Sequence, residues 1–427
     1  GLEPIAEQVT DHALAEVRRM VTKRPFLLLV HYFDPHWNYD PPAPYDTRFT
    51  SPYSGTVTGN YQSFSKYALP GETLPPGALQ HLIDLYDGEI AYTDAQIGRL
   101  LKILEEEGIA RRSVVVVVSD HGEEFKEHGS LGHGRDLYDE VTRVPLLVAD
   151  LRKPAQERRI KAEVRGIDVF PTLCALGGVP PPRGVQGVTL IPFLSGEGGE
   201  GRPAISETIR FDAYRKSYRE PDAKLIVRLE SNSRELYDLA SDPAERINLW
   251  ERRGQEALAM EQALFEQVDV LDGGWNLRWS SDGTPHRFSG TIETDGLITA
   301  VVPLFPEEGR HRVARGKRID FDLPGVSRSG GLSFAVSPPD SRVGFSLALD
   351  GAEEKQRVFI GARRTTPSAS PFSFASTQPA ELFSKPAFSG GGELGYFLWK
   401  SPGPSQEEAS ELSEAMKERL KSLGYIR

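Results

Sequence analysis

Val114-Val115-Val116-Val117-Val118-Ser119-Asp120-His121-Gly122-Glu123-Glu124 joins five consecutive β-branched residues to a short polar run. An unbroken apolar run of this length predicts a strand buried on both faces, as in α/β proteins, rather than a half-exposed strand with alternating polarity. In open α/β sheets ligands bind at the carboxyl ends of strands, and Asp120 and His121 stand at that end. A carboxylate and an imidazole can both coordinate a divalent cation. Two adjacent residues do so together only at a bend, which Gly122 makes feasible. The plainer alternative is that Asp120 caps a following helix and His121 is incidental.

Downstream lie His128-Gly129 and Leu131-Gly132-His133-Gly134-Arg135, so three of the nine histidines fall between 121 and 133 in a glycine-rich loop. Loops of that composition seldom form core, and these side chains are expected to face a cleft. Upstream, Phe26 to Val30 predicts another strand buried on both faces, as in a parallel sheet, followed by His31-Tyr32-Phe33-Asp34-Pro35-His36. Pro35 and Pro41-Pro42 keep the chain extended and would project His36 over the sheet edge. A histidine there could protonate a leaving oxygen or bind an anionic ester oxygen. His31, inside the strand pattern, reads as a core or capping residue.

Between these stretches, helical spacing runs from Ile5 to Met20 and again through Ile90, Ile97, Leu100, Leu101 and Leu104, with Gly108 as the stop of the second helix. Val144 to Val148 adds another strand, so helices and strands alternate to about residue 180, the pattern of an α/β layered domain. Strand-like runs follow at 223–227 and 235–239, then a short helix near 251–268. From 270 to 403 short alternating runs are punctuated by Gly, Ser, Pro and Thr, which predicts an all-β, sandwich-like domain. Residues 404–427 read as a charged helical tail. The division expected is therefore 1–250, a connecting helix at 251–269, an accessory β domain at 270–403, and the tail. Trp275 and Trp279 read as core, with a carbohydrate platform as the alternative.

The 427 residues are 39% hydrophobic and 26% charged, with a formal net charge of -11. That balance suits a protein with a real core and argues against a nucleic-acid partner, which usually meets a basic face. Cys174 is the single cysteine, excludes an internal disulfide and reads as core packing. No apolar run reaches membrane-spanning length. The chain opens at Gly1, within a helical pattern, which reads as a processed or truncated start, so the absence of a signal peptide carries little weight. Oligomeric state is not legible. A periplasmic or secreted location is favoured over a cytoplasmic one.

Residues 26–36 and 119–134, with Tyr86-Asp87-Gly88-Glu89-Ile90 through Asp94 between them, resemble the sulfatase family of the alkaline phosphatase superfamily. The resemblance continues through Gly166-Ile167-Asp168-Val169-Phe170-Pro171-Thr172-Leu173, Gly184-Val185-Gln186-Gly187 and Glu235-Leu236-Tyr237-Asp238-Leu239, and returns at Leu420 to Tyr425. It implies an alkaline phosphatase-like sheet with helices on both faces, incomplete in this chain. It implies that Asp120 and His121 are half of a divalent metal site, usually filled by Ca2+, that His36 contacts the sulfate oxygens, and that His133 stands near the ester oxygens.

Members also carry an early Asp-Asp pair and a Cys/Ser-x-Pro-x-Arg motif whose first residue becomes the formylglycine nucleophile. Neither is present here. Gly283-Thr284-Pro285-His286-Arg287 has the Pro-x-Arg pattern but glycine at the nucleophile position, and reads as a turn. The expectation is a sulfatase portion lying after its nucleophile segment, inactive alone because covalent catalysis needs the nucleophile, and acting in the intact parent on a sulfated small molecule or glycan. The alternatives are a phosphodiesterase, phosphonate hydrolase or phosphotransferase of the same superfamily, or a non-catalytic binding protein on the same scaffold.

Overall fold

A computed structural model describes residues 5–22, 25–154, 157–208, 215–229, 231, 233–268, 273–304, 310–314, 316–327, 329–374, 385–386 and 393–401. The chain divides into two compact units, Gly1–Gly254 and Gln255–Arg427. The tail expected at 404–427 lies outside the described residues, as does the stretch at Leu420 to Tyr425.

In the first unit, helix α1 (Ala6–Met20) buries Ala13, Leu14 and Val17. Val17 packs with Leu104 from α2 (Ala78–Glu106). Helix α2 ends where the spacing put its stop, with Gly108 at φ +70 just beyond it. Strand β1 (Val114–Val118) is present, and it pairs antiparallel with β2 (Leu146–Asp150) in the register Val114↔Asp150 to Val118↔Leu146. Helix α3 (Val169–Gly177) follows and buries Cys174. Four strands then form an antiparallel meander, β3 (Ala204–Thr208), β4 (Arg215–Arg219), β5 (Ala223–Arg228) and β6 (Ser233–Asp238).

Two apolar runs depart from the expectation. Phe26 to Val30 is extended but belongs to no strand ladder, and Leu27 and Leu29 are 72% and 89% exposed. His31 is likewise exposed rather than core or cap. β1 is half-buried, with Val118 at its exposed end. Backbone N–H and C=O groups make a strand only when a neighbouring chain segment supplies their partners. Among the described residues nothing pairs with 26–30, and β1 has one neighbour.

In the second unit, α4 (Gly254–Gln267) precedes two sheets. One contains His286–Thr294, Arg310–Ala314, Arg318–Val326, Val343–Leu349 and Phe372–Phe374. The other contains Trp275–Ser280, Leu297–Leu304, Gly330–Ser337, Val358–Ile360 and Gly395–Lys400. Their inner faces share one core that includes Trp275, Trp279, Phe288, Phe321, Phe345 and Tyr396. The helix expected as a connector thus belongs to this unit, and the two tryptophans are core residues with no face left for a sugar. Among the described residues no helix is long and apolar enough to cross a membrane.

Candidate active site

The site is built where β1 ends. The backbone turns at Ser119, whose hydroxyl donates to the His121 carbonyl at 2.6 Å. The Gly122 N–H donates to the Val141 carbonyl at 2.8 Å. A Cβ at Gly122 would lie 2.1 Å from the Glu140 carbonyl oxygen, so only glycine lets the turn pass this close. No helix follows Asp120, which removes the capping alternative. Gly122→Ala is expected to cost about 2–3 kcal/mol through this backbone clash. Urea unfolding measures it, and an unchanged midpoint would mean the turn has room the geometry denies it.

Asp120 and His121 are presented together. The Asp120 carboxylate accepts the His121 N–H at 3.0 Å and lies 3.8 Å from His121 Nε2. His121 Nδ1 is 2.9 Å from the Gly122 carbonyl, which orients the ring so that Nε2 faces the carboxylate. Burial works against ionisation of Asp120. The His121 imidazole, the N–H groups of Asp120 and His121, and His31 nonetheless hold it below the usual carboxylate range. A carboxylate and an imidazole side by side fit a divalent cation as two donors. Among the described residues no group of three or more His, Cys, Asp or Glu is placed to hold a metal.

His133 and His36 join this pair. The His121 and His133 rings stack with centroids 4.0 Å apart, and His36 lies 5.0 Å from His133 and 6.4 Å from His121. Burial lowers the pKa of His36, and the two neighbouring imidazoles add to the effect. All four residues singled out from the sequence thus meet at one place, although they come from segments about 85 residues apart.

The sequence reading missed the residues that hold His133. Its Nδ1 is 3.0 Å from Glu123 Oε1, and the Tyr39 hydroxyl donates to Glu123 Oε2 at 2.8 Å. Glu123, His133 and Tyr39 are all buried. Burial and the Glu123 charge push the Tyr39 hydroxyl far above its ordinary range, so it stays a donor. Trp37 packs against His133 and stacks on Tyr61. Gly132, at φ +101, sits where a Cβ would be 2.7 Å from the Trp37 ring. The signal for Glu123 was present in the sequence, two residues after His121, but its partner Tyr39 is 84 residues away and no spacing rule links them.

His128 does not join the cluster. Its Nδ1 meets Glu140 Oε1 at 2.5 Å, its Nε2 lies 3.0 Å from the Glu245 carbonyl, and its ring stacks on Tyr138. Both nitrogens are used in holding the loop, so this histidine of the glycine-rich stretch is structural.

A family model described as Sulfatase matches residues 3–179, and one described as N-sulphoglucosamine sulphohydrolase, C-terminal, matches residues 126–271. The chain is 28% identical over 295 residues to the uncharacterized sulfatase YidJ of Escherichia coli (strain K12), covering 63% of this chain and 57% of that protein. It is 30% identical over 196 residues to a Delta 4,5-hexuronate-2-O-sulfatase of Bacteroides thetaiotaomicron, covering 44% of this chain and 41% of that one. The chain thus spans about half the length of the curated relatives it matches. Among solved structures, the phosphonate monoester hydrolase of Agrobacterium radiobacter superposes with a TM-score of 0.50 at 24% identity, covering 63% of this chain and 62% of that chain. That likeness speaks to the fold.

Proposed function

We infer, from a chain that belongs to the sulfatase family of the alkaline phosphatase superfamily, that it forms part of a hydrolase of sulfate esters. The observation that carries this reading is the convergence of His36, His121 and His133 on the turn that presents Asp120. His36 would bind the sulfate oxygens. His133, oriented by Glu123 through Nδ1, would turn Nε2 toward the ester oxygen and move a proton there. Asp120 and His121 would contribute to holding a divalent cation, calcium in the family resemblance, which offsets negative charge on the ester oxygens.

The reaction needs a nucleophile, and this sequence contains no Cys/Ser-x-Pro-x-Arg motif. We therefore propose that a formylglycine is supplied by a segment outside this sequence. The relative described as a hexuronate-2-O-sulfatase supports a sulfated glycan as the substrate class. Such a substrate favours a periplasmic or secreted location. A site of imidazoles and carboxylates fits sulfuryl and phosphoryl esters alike, so phosphonate or phosphodiester hydrolysis is the second reading.

The test compares aryl sulfate with aryl phosphonate, using this chain alone and a form that carries the nucleophile segment. The chain alone is expected to turn over neither ester. The form with the nucleophile is expected to prefer the sulfate by at least tenfold in kcat/KM. A preference for the phosphonate would overturn the sulfatase assignment, and sulfate turnover by the chain alone would overturn the outside nucleophile.

A further inference from the structure

The loop that carries His133 is a hairpin, and His128 stands at its tip. Glu124–Phe125 pairs antiparallel with Leu131–Gly132, and His133 is the next residue after the returning strand. At the tip the Lys126 N–H donates to the Ser130 carbonyl at 2.9 Å. Glu124 Oε1 accepts the N–H groups of His128 and Ser130, at 3.1 and 2.6 Å. The hairpin is fixed to residues 68–69, where the Leu131 N–H reaches the Ala68 carbonyl at 3.2 Å and Lys126 Nζ the Leu69 carbonyl at 2.9 Å. The His128 ring supplies a second attachment, elsewhere in the unit.

His128 Nδ1 meets Glu140 Oε1 at 2.5 Å, and Nε2 meets the Glu245 carbonyl at 3.0 Å. Glu140 belongs to the short helix Asp139–Thr142, whose backbone lies against Gly122 in the turn that presents Asp120 and His121. Glu245 holds the start of the same helix, because its Oε2 accepts the Asp139 N–H at 2.6 Å. One imidazole thus joins the hairpin before His133 to the helix behind the Asp120 turn.

The partners decide how many protons this ring needs. A backbone carbonyl only accepts, so Nε2 carries a hydrogen. An ionised carboxylate also only accepts, so a second proton lies between Nδ1 and Oε1. Without it, two lone pairs would face each other at 2.5 Å. A neutral ring beside an ionised Glu140 can keep one of the two bonds, not both. His133 differs, since one hydrogen on Nδ1 satisfies its contact with Glu123.

We propose that the proton in the His128–Glu140 contact is a latch on the candidate site, tying the hairpin to the helix while present and loosening the placement of His133 when lost as pH rises. His128 is then a positioning residue that acts through the hairpin. The groups facing its ring are Glu140, Glu245 and Tyr138, which stacks on it at 3.5 Å, while Glu124 takes its N–H. Behind them, Arg228 lies 5.8 Å from the Tyr138 ring and Lys224 Nζ 3.1 Å from Glu245 Oε1. Burial works to lower the pKa of His128, but its bonds to Glu140 and the Glu245 carbonyl, with the charges of both residues, raise it above the ordinary value. A histidine raised above 6.5 by folding adds stability that is full below 6.5 and lost as pH rises through the folded value. Glu124, pushed up to about 7 by burial, acts at the same tip and in the same direction.

Glu140→Gln separates the two. Its amide N–H can donate to Nδ1 while Nε2–H still reaches the Glu245 carbonyl, so a neutral ring makes both bonds at every pH. Hydrogen exchange of residues 126–134, corrected for its intrinsic pH dependence, is expected to speed up roughly tenfold between pH 5 and pH 9 in the wild type. In Glu140→Gln it is expected to stay slow across that range, and in His128→Ala to be fast throughout. The His133 ring 15N signals are expected to show a matching step beyond the titration of His133 itself, again lost in Glu140→Gln. A wild type without the change in exchange, or a Glu140→Gln variant that keeps it, overturns the latch, and the second result assigns the change to Glu124. A hairpin that loosens without a His133 step overturns the link to the site. Should Glu140→Gln fail to fold, Glu124→Gln decides instead, and is expected to keep the step. The consequence for catalysis rests on the reading of His133 as a site residue. Neither measurement involves turnover, so a protein that hydrolyses no ester leaves the latch standing.

Discussion

Replacing Lys224 with methionine is expected to destabilise the first unit by about 3–5 kcal/mol, the cost of stripping the partner from a buried charge. Lys224 lies on β5 with no solvent exposure. Its Nζ is 2.9 Å from Asp139 Oδ1, 3.3 Å from Thr142 Oγ1, and 3.1 Å from Glu245 Oε1, although the last contact is out of line for a hydrogen bond. Asp139 keeps a second cation, since Arg219 bonds both of its oxygens at 3.0 Å. Burial opposes the ionisation of Asp139, yet Arg219 and Lys224 hold it down to about 2.

Glu245 is more vulnerable. Burial raises its pKa, Lys224 is the cation that lowers it, and its remaining support is the Asp139 N–H at Oε2. Removing Lys224 leaves that carboxylate with no cation in contact, inside a unit whose total stability is of the same order as the loss. Urea unfolding followed by intrinsic fluorescence reads the change. Adding Glu245→Gln to Lys224→Met is expected to recover a large part of it. A loss under 1 kcal/mol for the single variant would mean that water reaches this pair.

The second large effect is on turnover. His133→Ala, measured in a form of the protein that carries the nucleophile, is expected to lower kcat by about 10²–10⁴, the range for removal of a general acid or base. Glu123→Gln should keep an acceptor for His133 Nδ1 and a partner for Tyr39. It removes the negative charge next to the His133 ring, so a smaller loss of roughly tenfold is expected, in kcat rather than KM. A His133→Ala variant within threefold of wild type would take His133 out of the chemistry and leave it as packing for Trp37 and His121.

Helix lengths and stops were written locally. The spacing from Ile90 to Leu104 and the glycine at 108 describe the last turns of α2 because propensity, face and cap all act within a few residues. The alternation in Val343–Leu349 likewise produced a strand with inward Val343, Phe345, Leu347 and Leu349. The four candidate residues that the fold brings together could be singled out for a related reason, as each stands after an apolar run or in a glycine-rich loop.

What the sequence by itself determined is therefore the class of fold and the elements with strong periodicity, and it singled out Asp120, His121, His36 and His133 as candidates. Tertiary structure alone decided which of those elements pair and which histidines share a site. Phe26–Val30 and Val114–Val118 are alike as apolar runs, yet one forms a ladder and the other does not, because a strand exists only in relation to a neighbour. His128 and His133 lie five residues apart in one loop, yet one is locked by Glu140 and Glu245 while the other meets Glu123 and His36. Those partners come from parts of the chain that only folding brings together, and hydrogen bonding at 3 Å carries no periodic trace in the sequence.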